Sequence, residues 1–550
     1  MLAWATLDAS LPQQRGRAAL VEYAASPLAL VLVLAVVTAT RLVIAWSSQN
    51  HVHSDEAIIG LMAKHISDGR VWPLYMYGQT YASAASWEAY CAAPVFALFG
   101  PGVLQLKSCV VLLSSASLAA AWLVARRMFG GATALGAVVL LATTPALARW
   151  PYQVTGYSFF FSGLPIVLWS ALRVADATRR PARAAFVFGA CSGLAVWGLE
   201  LAFPVCAVLA LLLVLRGSLR GRGLVAGVAG ALLGYAPAIA FNLTHDFANW
   251  RAVFGEKLRP GRSEHSFGAS LPLDVLAREL PRGFGTDTTL WFVEHASWIG
   301  WTAYVLCASV VVIALVPLAR RPLETLRAWR SEARIGERQC ELVLLACTAA
   351  CFAVYLAPSE RVPTYLLGAM VFLALLAARV IGRSWRSGRV AGRIAAATLG
   401  LGFALTHLAA QVHVASSNHV DTLLFSGEKA HMGQLPAADI EAVQRTLTER
   451  GIRSVWTTPS FVYPLIFESD ETLGVSGSWI GWTVNVYPSS IPAPVPRSDE
   501  LQAFVVEADS PYRPRARQLC RDISGRPPSV VLCGQLVVLI EDRGALAAPR

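Results

Sequence analysis

Charged residues are scarce in this chain, and their scarcity limits the class of protein to which it can belong. Of the 550 residues only 15% are charged while 55% are hydrophobic, and the mean hydropathy is +0.50. A soluble domain needs far more charge, so we expect a helical protein that crosses a membrane many times. The formal charge of +11 does not indicate nucleic acid as a partner, because the basic residues cluster in short loops between apolar runs.

Patterns typical of metal binding and thiol chemistry are also missing. The chain has no CxxC motif and no His-rich tract, so no cofactor is assigned, and a divalent metal remains an open alternative. Eight of the ten cysteines lie in or beside apolar runs, where cysteine behaves as a small hydrophobe. Cys520 and Cys533 fall in the polar C-terminal region and could pair if that region faces an oxidising space.

No cleavable signal peptide and no internal repeat are evident. Residues 1–26 are mixed and polar and are predicted to be a cytoplasmic N-terminus, and about eleven apolar spans follow within residues 27–412. The predicted spans are residues 27–46, 103–125, 132–148, 157–172, 184–199, 201–215, 224–241, 298–319, 341–355, 363–378 and 394–410.

Arginine clusters lie in alternate loops, which predicts that those loops are cytoplasmic. They include Arg126 and Arg127, then Arg216, Arg220 and Arg222, and later Arg379, Arg383 and Arg386. The long loops 47–102 and 242–297 and the C-terminus would then lie outside. The fold class predicted is an all-α polytopic membrane bundle of about eleven transmembrane helices with a small C-terminal extracytoplasmic α/β domain.

Residues 184–215 test this topology. As one helix they would extend about 48 Å at ~1.5 Å per residue, which exceeds a hydrocarbon core of ~30 Å. Both ends carry arginine clusters, so the stretch should return to the side it left. We therefore predict a hairpin with Glu200 at its external tip.

The C-terminal region, residues 413–550, has a different pattern. One helical face carries Ile440, Val443 and Leu447, and an extended apolar run follows Gly451. Further β-like runs cover residues 503–506 and 529–540, the second broken at Gly534. The sequence therefore predicts an external α/β domain.

An Asp-Glu pair directly follows the first span. Ser54 is a plausible N-cap for a helix that begins at Asp55 and Glu56. There the helix dipole favours an ionised carboxylate that is able to accept a proton. The alternative interpretation is ordinary helix-start decoration.

Several other side chains on the predicted outer side suit a sugar or a phosphate. Aromatic faces and amides stack on and hydrogen-bond to sugars, carboxylates near spans are costly unless paired or wet, and basic groups bind phosphate. The candidates for the sugar pocket are Tyr77, Gln79, Tyr81, Glu88 and Glu200, and those for a lipid-linked phosphate are Lys107, Arg149 and Arg361. An aromatic belt and contacts with lipid headgroups are the alternatives.

Taken together, these motifs resemble the C-superfamily of membrane glycosyltransferases, the group that contains bacterial lipid A aminoarabinose transferase and protein O-mannosyltransferase. The resemblance rests on Asp55-Glu56, Tyr77-Gly78-Gln79-Thr80-Tyr81, Glu88-Ala89, Ala93-Pro94, Leu98-Phe99-Gly100, Asn242, Arg361, Tyr365, residues 447–455 and Phe467-Glu468-Ser469. A Lys-Pro-Pro segment that some relatives carry after the aromatic stretch is lacking.

The resemblance implies inverting transfer of a sugar from a polyprenyl-phosphate donor to an extracytoplasmic acceptor, at the outer face of a bacterial inner membrane. Asp55 would be the general base and Glu56 an orienting or acceptor-binding partner, while Tyr365 would join the substrate-binding residues. Relatives differ in their need for a metal. Membrane lipids would be further partners.

Two other functions compete with this interpretation. A transporter or lipid flippase should have repeated halves, interrupted helices and ionisable residues at mid-span, and none is clear in the sequence. A scaffold that only presents the C-terminal domain would not need Asp55.

Overall fold

The chain forms a helical membrane bundle with a small C-terminal sheet. The structure is a computed structural model, and it describes residues 26–47, 52, 54–78, 84–147, 150–154, 156–177, 180–253, 274–284, 297–331, 335–356, 363–387, 389–416, 437–480, 487–488 and 490–542.

Fifteen helices make up the bundle within these residues, not counting single turns. They are α1 (Pro27–Ser47), α2 (Ser54–Ser67), α3 (Ala84–Phe99), α4 (Val103–Phe129), α5 (Gly131–Thr143), α6 (Tyr157–Ala175), α7 (Pro181–Gly198), α8 (Phe203–Arg216), α9 (Arg222–Gly234), α10 (Ala236–Thr244), α11 (Ser297–Arg320), α12 (Pro322–Ser331), α13 (Glu337–Leu356), α14 (Leu367–Arg386) and α15 (Val390–Ser416).

Ten of the eleven predicted apolar segments fall mainly on one of these helices each, and residues 224–241 fall on two, α9 and α10. In the described part of the chain, five helices are long and apolar enough to cross a membrane, and six if a bent pair counts as one span. These helices are α1, α4, α11, α14 and α15, and the bent pair is α9 with α10. The protein is thus an integral membrane protein, while the predicted count of about eleven transmembrane helices is not confirmed among the described residues.

The bent pair is explained by its sequence. Helices α9 and α10 meet at 56°, where Pro237 in the first turn of α10 cannot donate a backbone hydrogen bond. The predicted hairpin is present: α7 ends at Gly198 and α8 begins at Phe203, with Glu200 in the short turn between them.

Helices α7 and α9 approach so closely that their contact is made by glycine. A Cβ atom on Gly230 would lie 2.1 Å from the carbonyl oxygen of Phe186, and one on Gly193 would lie 2.2 Å from that of Ala231. Because the obstacles are backbone atoms, no side-chain rotation can relieve the clash. Small residues permit this kind of packing between membrane helices, where burial from water contributes little.

The C-terminal region folds into a five-stranded sheet with helices on both faces. Its elements are α16 (Ala437–Glu449), β1 (Ser454–Thr457), α17 (Pro459–Glu468), β2 (Gly474–Ser476), β3 (Gln502–Glu507), α18 (Arg513–Ser524), β4 (Ser529–Cys533) and β5 (Leu536–Ile540). The strand order is β2-β1-β3-β5-β4, with β2, β1 and β3 parallel and β5 antiparallel to both β3 and β4. The predicted break at Gly534 is the β4–β5 turn.

The expectation that Cys520 and Cys533 could pair is wrong. Both thiols are free and buried. Cys520 packs on one side of the sheet with Phe504, whereas Cys533 packs on the other with Val505. Neighbouring residues of a strand point to opposite faces, so the sheet itself separates the two cysteines.

Helix α17 of the C-terminal region docks on α2 and α3. Gly60 lies directly beneath the Phe467 ring, where a Cβ atom would be 2.6 Å from the ring carbon Cε2. Phe467 also stacks on Phe96, with ring centroids 6.3 Å apart. Since α2, α3, α17 and the inner face of the sheet share one apolar core, the C-terminal domain is packed against the bundle.

A polar cluster completes this docking at the other end of α2. The Glu471 carboxylate accepts hydrogen bonds from His65 Nε2 and from the Tyr487 hydroxyl, each at 3.0 Å, and pairs with Lys64 Nζ at 2.8 Å. Glu471 has φ of 63°, a left-handed conformation that is unfavourable for a residue with a side chain. Burial alone would raise the Glu471 pKa, but the bonds from His65 and Lys64 outweigh it and lower that pKa to about 2.

Replacing Gly230 should destabilise the bundle. We expect Gly230→Ala to lower the free energy of unfolding by about 1–3 kcal/mol, because the added methyl group has to push α7 away from α9. Thermal unfolding in detergent measures the effect. Gly400→Ala is the matched control, since a Cβ atom there meets nothing within 4 Å; equal loss of stability in both variants would contradict close packing at Gly230.

Acid should weaken the docking of the C-terminal domain. The folded-state pKa of Glu471 is lowered to about 2 from 4.5, so its contribution to stability is present above about pH 4.5 and is lost as the pH falls toward about 2. The unfolding temperature of the wild type should therefore exceed that of Glu471→Gln above pH 4.5, and the gap should close on acidification. A gap that does not depend on pH would show that the Glu471 charge does not contribute.

Candidate functional site

Asp55 lies in the first turn of α2, as the sequence predicts. Its side chain is partly exposed, whereas the next residue, Glu56, is fully buried. Helix α2 begins at Ser54, whose hydroxyl donates to the carbonyl oxygen of Pro459 at 3.2 Å. The hydroxyl predicted to cap the helix joins it to the C-terminal domain.

Glu56 is held by a buried lysine and by a backbone amide. Lys107 Nζ lies 4.0 Å from Glu56 Oε2, with both side chains inaccessible to solvent, and the Val154 amide donates to Oε1 at 2.9 Å. A carboxylate in such a place needs a cation and hydrogen bonds to stay ionised. Lys107 is thus engaged inside the protein, and its predicted contact with a lipid phosphate at the membrane surface is wrong for this conformation.

Glu468 brings a second carboxylate toward Lys107 from the C-terminal domain. Burial raises its pKa to about 8, and the positive charge of Lys107 opposes that rise only in part. The geometric partner of Lys107 is Glu56, the carboxylate next to Asp55.

Glu88, a residue of α3, caps the start of α6. It accepts hydrogen bonds from the Gly156 amide at 2.7 Å, the Ser158 amide at 3.1 Å and the Ser158 hydroxyl. Burial raises the Glu88 pKa to about 7, although these hydrogen bonds oppose the rise. We predicted that Glu88 lines a sugar pocket, but in the structure it is buried and its carboxylate oxygens accept hydrogen bonds from Gly156 and Ser158.

Glu56 and Glu88 together fix one short loop. Glu56 binds the amide of residue 154 and Glu88 binds those of residues 156 and 158. This loop follows a buried turn at Trp150–Tyr152 and leads into α6. Arg149, predicted to bind phosphate, precedes the turn but lies outside the described residues.

The aromatic segment, defined here as residues 72–78, runs between two polar clusters. Tyr75 is buried and packs on Phe241, with centroids 4.5 Å apart. Burial, and to a smaller extent the nearby Glu200 charge, raises the Tyr75 pKa. Tyr77 is also buried, and its hydroxyl lies 3.0 Å from His65 Nδ1.

Two of the aromatic-loop candidates, Gln79 and Tyr81, lie outside the described residues. Tyr77 is described, and its hydroxyl lies at the interface with the C-terminal domain, where the Tyr77 and His65 rings also stack with centroids 5.8 Å apart.

Glu200 is tied to the loop that follows α10. Asn249 Nδ2 donates to Glu200 Oε1 at 3.0 Å, and Asn249 also accepts from Asn242 at 3.4 Å. The Trp250 amide in turn donates to Asn242 at 3.1 Å. Glu200 keeps partial exposure, so this cluster combines a carboxylate, amides and aromatic rings beside the aromatic segment.

Tyr365 belongs to a different cluster. It is half-buried and packs with Tyr304, Tyr355 and Leu280, whereas Asp55 lies on the helix under the C-terminal domain. Arg361, expected beside Tyr365, lies outside the described residues. Among the described residues no group of three or more His, Cys, Asp or Glu side chains is placed to hold a metal ion.

Sequence reasoning did not single out His65, Asn249 or Glu471 for the site. The sequence does contain a local pattern that could have indicated His65, because the helix that begins with Asp55 and Glu56 has Lys64 and His65 in its last turn. The partners of these residues are distant in the chain, so no local pattern indicates them.

Comparison with known proteins adds a family match and a fold. Residues 87–241 match the family model described as dolichyl-phosphate-mannose-protein mannosyltransferase. ArnT from Cupriavidus metallidurans, solved with bound undecaprenyl phosphate, has a TM-score of 0.55 at 14% identity over 96% of this chain and 100% of its own. Its apo structure gives the same score and identity over 95% and 99%. No match is found among curated protein sequences.

A more distant similarity is to the oligosaccharyltransferase AglB from Archaeoglobus fulgidus, with a TM-score of 0.45 at 12% identity over 80% of this chain and 63% of its own. The chain is therefore similar to a mannosyltransferase family over residues 87–241, and it shares the fold of ArnT along nearly all of its length.

Proposed function

We propose that this protein transfers a sugar from a polyprenyl-phosphate donor to an acceptor hydroxyl at the outer face of the membrane. In one inverting displacement the acceptor oxygen bonds to the anomeric carbon as the bond from that carbon to the phosphate oxygen breaks. The acceptor proton passes to Asp55, and the polyprenyl phosphate leaves as an anion. The structural similarity to ArnT, which was solved with undecaprenyl phosphate, supports this donor class.

The observation that carries this proposal is the contrast between Asp55 and its neighbours. Asp55 is partly exposed at a helix start, where the helix dipole favours its ionised form. Glu56 and Glu88 are buried and hold amides of the loop that leads into α6. A general base needs access to the acceptor, and the partial exposure of Asp55 on the first turn of a packed helix supports it in that role.

The other polar groups have supporting roles. Glu56, paired with Lys107, fixes the first turn of α2, and Glu88 fixes the N-terminus of α6. The partly exposed Glu200, beside Tyr75 and Asn249, is proposed to bind sugar hydroxyls. Arg149 and Arg361 are proposed to stabilise the negative charge that develops on the departing phosphate. Gln79, Tyr81 and Tyr365 are proposed to bind the substrate.

The proposed topology places this chemistry outside a bacterial inner membrane. If all eleven apolar segments cross, the helix ends that carry Arg126 and Arg127, Arg216, and Arg383 and Arg386 share one side. The positive-inside rule makes that side cytoplasmic. Helix α2 and the C-terminal domain, residues 413–550, then lie on the opposite side.

Removing the basic charge of Asp55 should abolish most of the turnover. We expect Asp55→Asn to lower kcat by at least about 10²-fold, because a positioned general base contributes ~10²–10⁴-fold. Turnover would be measured with a panel of polyprenyl-phosphate sugars, with the protein reconstituted in lipid vesicles. The amide keeps the size of the side chain and most of its hydrogen-bonding capacity.

Asp68→Asn is the matched control, since Asp68 is an exposed carboxylate just beyond the end of the same helix. It should leave turnover unchanged. Full activity of Asp55→Asn would show that another group accepts the proton. Movement of intact donor lipid across the vesicle, without cleavage of its phosphate bond, would instead favour a flippase.

A further inference from the structure

We propose that Glu471, in the C-terminal domain, is a positioning residue for the substrate site, acting on the aromatic segment through His65. The expected change in KM rests on the proposed glycosyl transfer, whereas the expected loosening of the aromatic segment does not. The geometry is a continuous chain of bonds: Glu471 Oε1 lies 3.0 Å from His65 Nε2, and His65 Nδ1 lies 3.0 Å from the Tyr77 hydroxyl. His65 is completely buried between them.

The carboxylate sets the direction of these hydrogen bonds. As an acceptor, Glu471 requires a proton on His65 Nε2. In the neutral ring Nδ1 is then left as the acceptor for the Tyr77 hydroxyl. A domain that is distant in the sequence thereby supports the hydrogen bond that holds a tyrosine of the aromatic segment. The same segment reaches the Glu200 cluster through Tyr75, so its placement bears on the proposed sugar contacts.

An amide cannot replace the carboxylate. Oε1 of Glu471 accepts hydrogen bonds from His65 and Tyr487. Oε2 pairs with Lys64 Nζ at 2.8 Å and lies 3.9 Å from Arg70. Both oxygens of Glu471 are therefore surrounded by donors. Glutamine in either orientation turns its NH₂ group toward one of these sets of donors, which leaves bonds unmade.

The Asp55 end of α2 is anchored independently of Glu471. Ser54 donates to the Pro459 carbonyl oxygen, and Gly60 packs beneath Phe467. Loss of the Glu471 carboxylate should therefore loosen the aromatic segment while Asp55 stays in place. In kinetic terms it should raise KM for the donor and leave kcat nearly unchanged.

The experiment compares Glu471→Gln, Tyr77→Phe and the double variant, with Glu449→Gln as a control for an exposed carboxylate in the same domain. Hydrogen exchange of residues 74–78 is measured first, in the full-length protein in detergent. We expect about tenfold faster exchange in each single variant, the effect of about one lost hydrogen bond, and no further increase in the double variant. Glu449→Gln should match the wild type.

The kinetic measurement uses the same variants and a polyprenyl-phosphate sugar. KM should rise about tenfold in Glu471→Gln and in Tyr77→Phe, with kcat within about twofold of the wild type. Unchanged exchange at residues 74–78, or effects that multiply in the double variant, would overturn the positioning role. If Glu471→Gln does not fold, Tyr77→Phe decides alone, since normal exchange there overturns the proposal. A wild type without turnover refutes the proposed function, and the exchange data still decide the role of Glu471.

Discussion

A short helix buried on almost every side cannot carry an unpaired charge, and the region around α2 is arranged around that constraint. In α2 ten of the 14 residues are buried, yet the helix begins with Asp55-Glu56 and ends with Lys64-His65. Each buried polar group therefore needs a partner from another element. Glu56 takes Lys107 of α4, and His65 takes Glu471 of the C-terminal domain. The cost of an unpaired buried charge holds these elements together.

It follows that the C-terminal domain is a structural part of the site. Its helix α17 covers α2, and the turn after α17 supplies Glu471. The left-handed backbone of that turn is unfavourable by itself, so it persists because its carboxylate is held by several donors. A domain attached only to present a surface would not need a carboxylate of this kind inside its contact with the bundle.

Local patterns in the sequence predict much of this fold. The apolar runs locate the helices, the face with Ile440, Val443 and Leu447 marks α16, and Gly534 marks the β4–β5 turn, because each depends on residues close together in the chain. The same local patterns do not predict the pairing of Lys107 with Glu56. From the sequence Lys107 looks like a cation at a membrane surface, and only the packing of α4 against α2 shows that it is buried. The same limit applies to Cys520 and Cys533, whose separation depends on which face of the sheet each occupies.

The adjacent positions of Asp55 and Glu56 explain why one carboxylate is buried and the other is partly exposed. Successive residues of a helix point about 100° apart, so a carboxylate directed into the bundle leaves its neighbour directed along the surface of the helix. Glu56 takes the inward direction and fixes the rotation of α2 through Lys107 and the Val154 amide. Asp55 thereby keeps both partial exposure and a set orientation. A single carboxylate could not do both, because a side chain that is buried among its partners cannot also reach the surface of the helix.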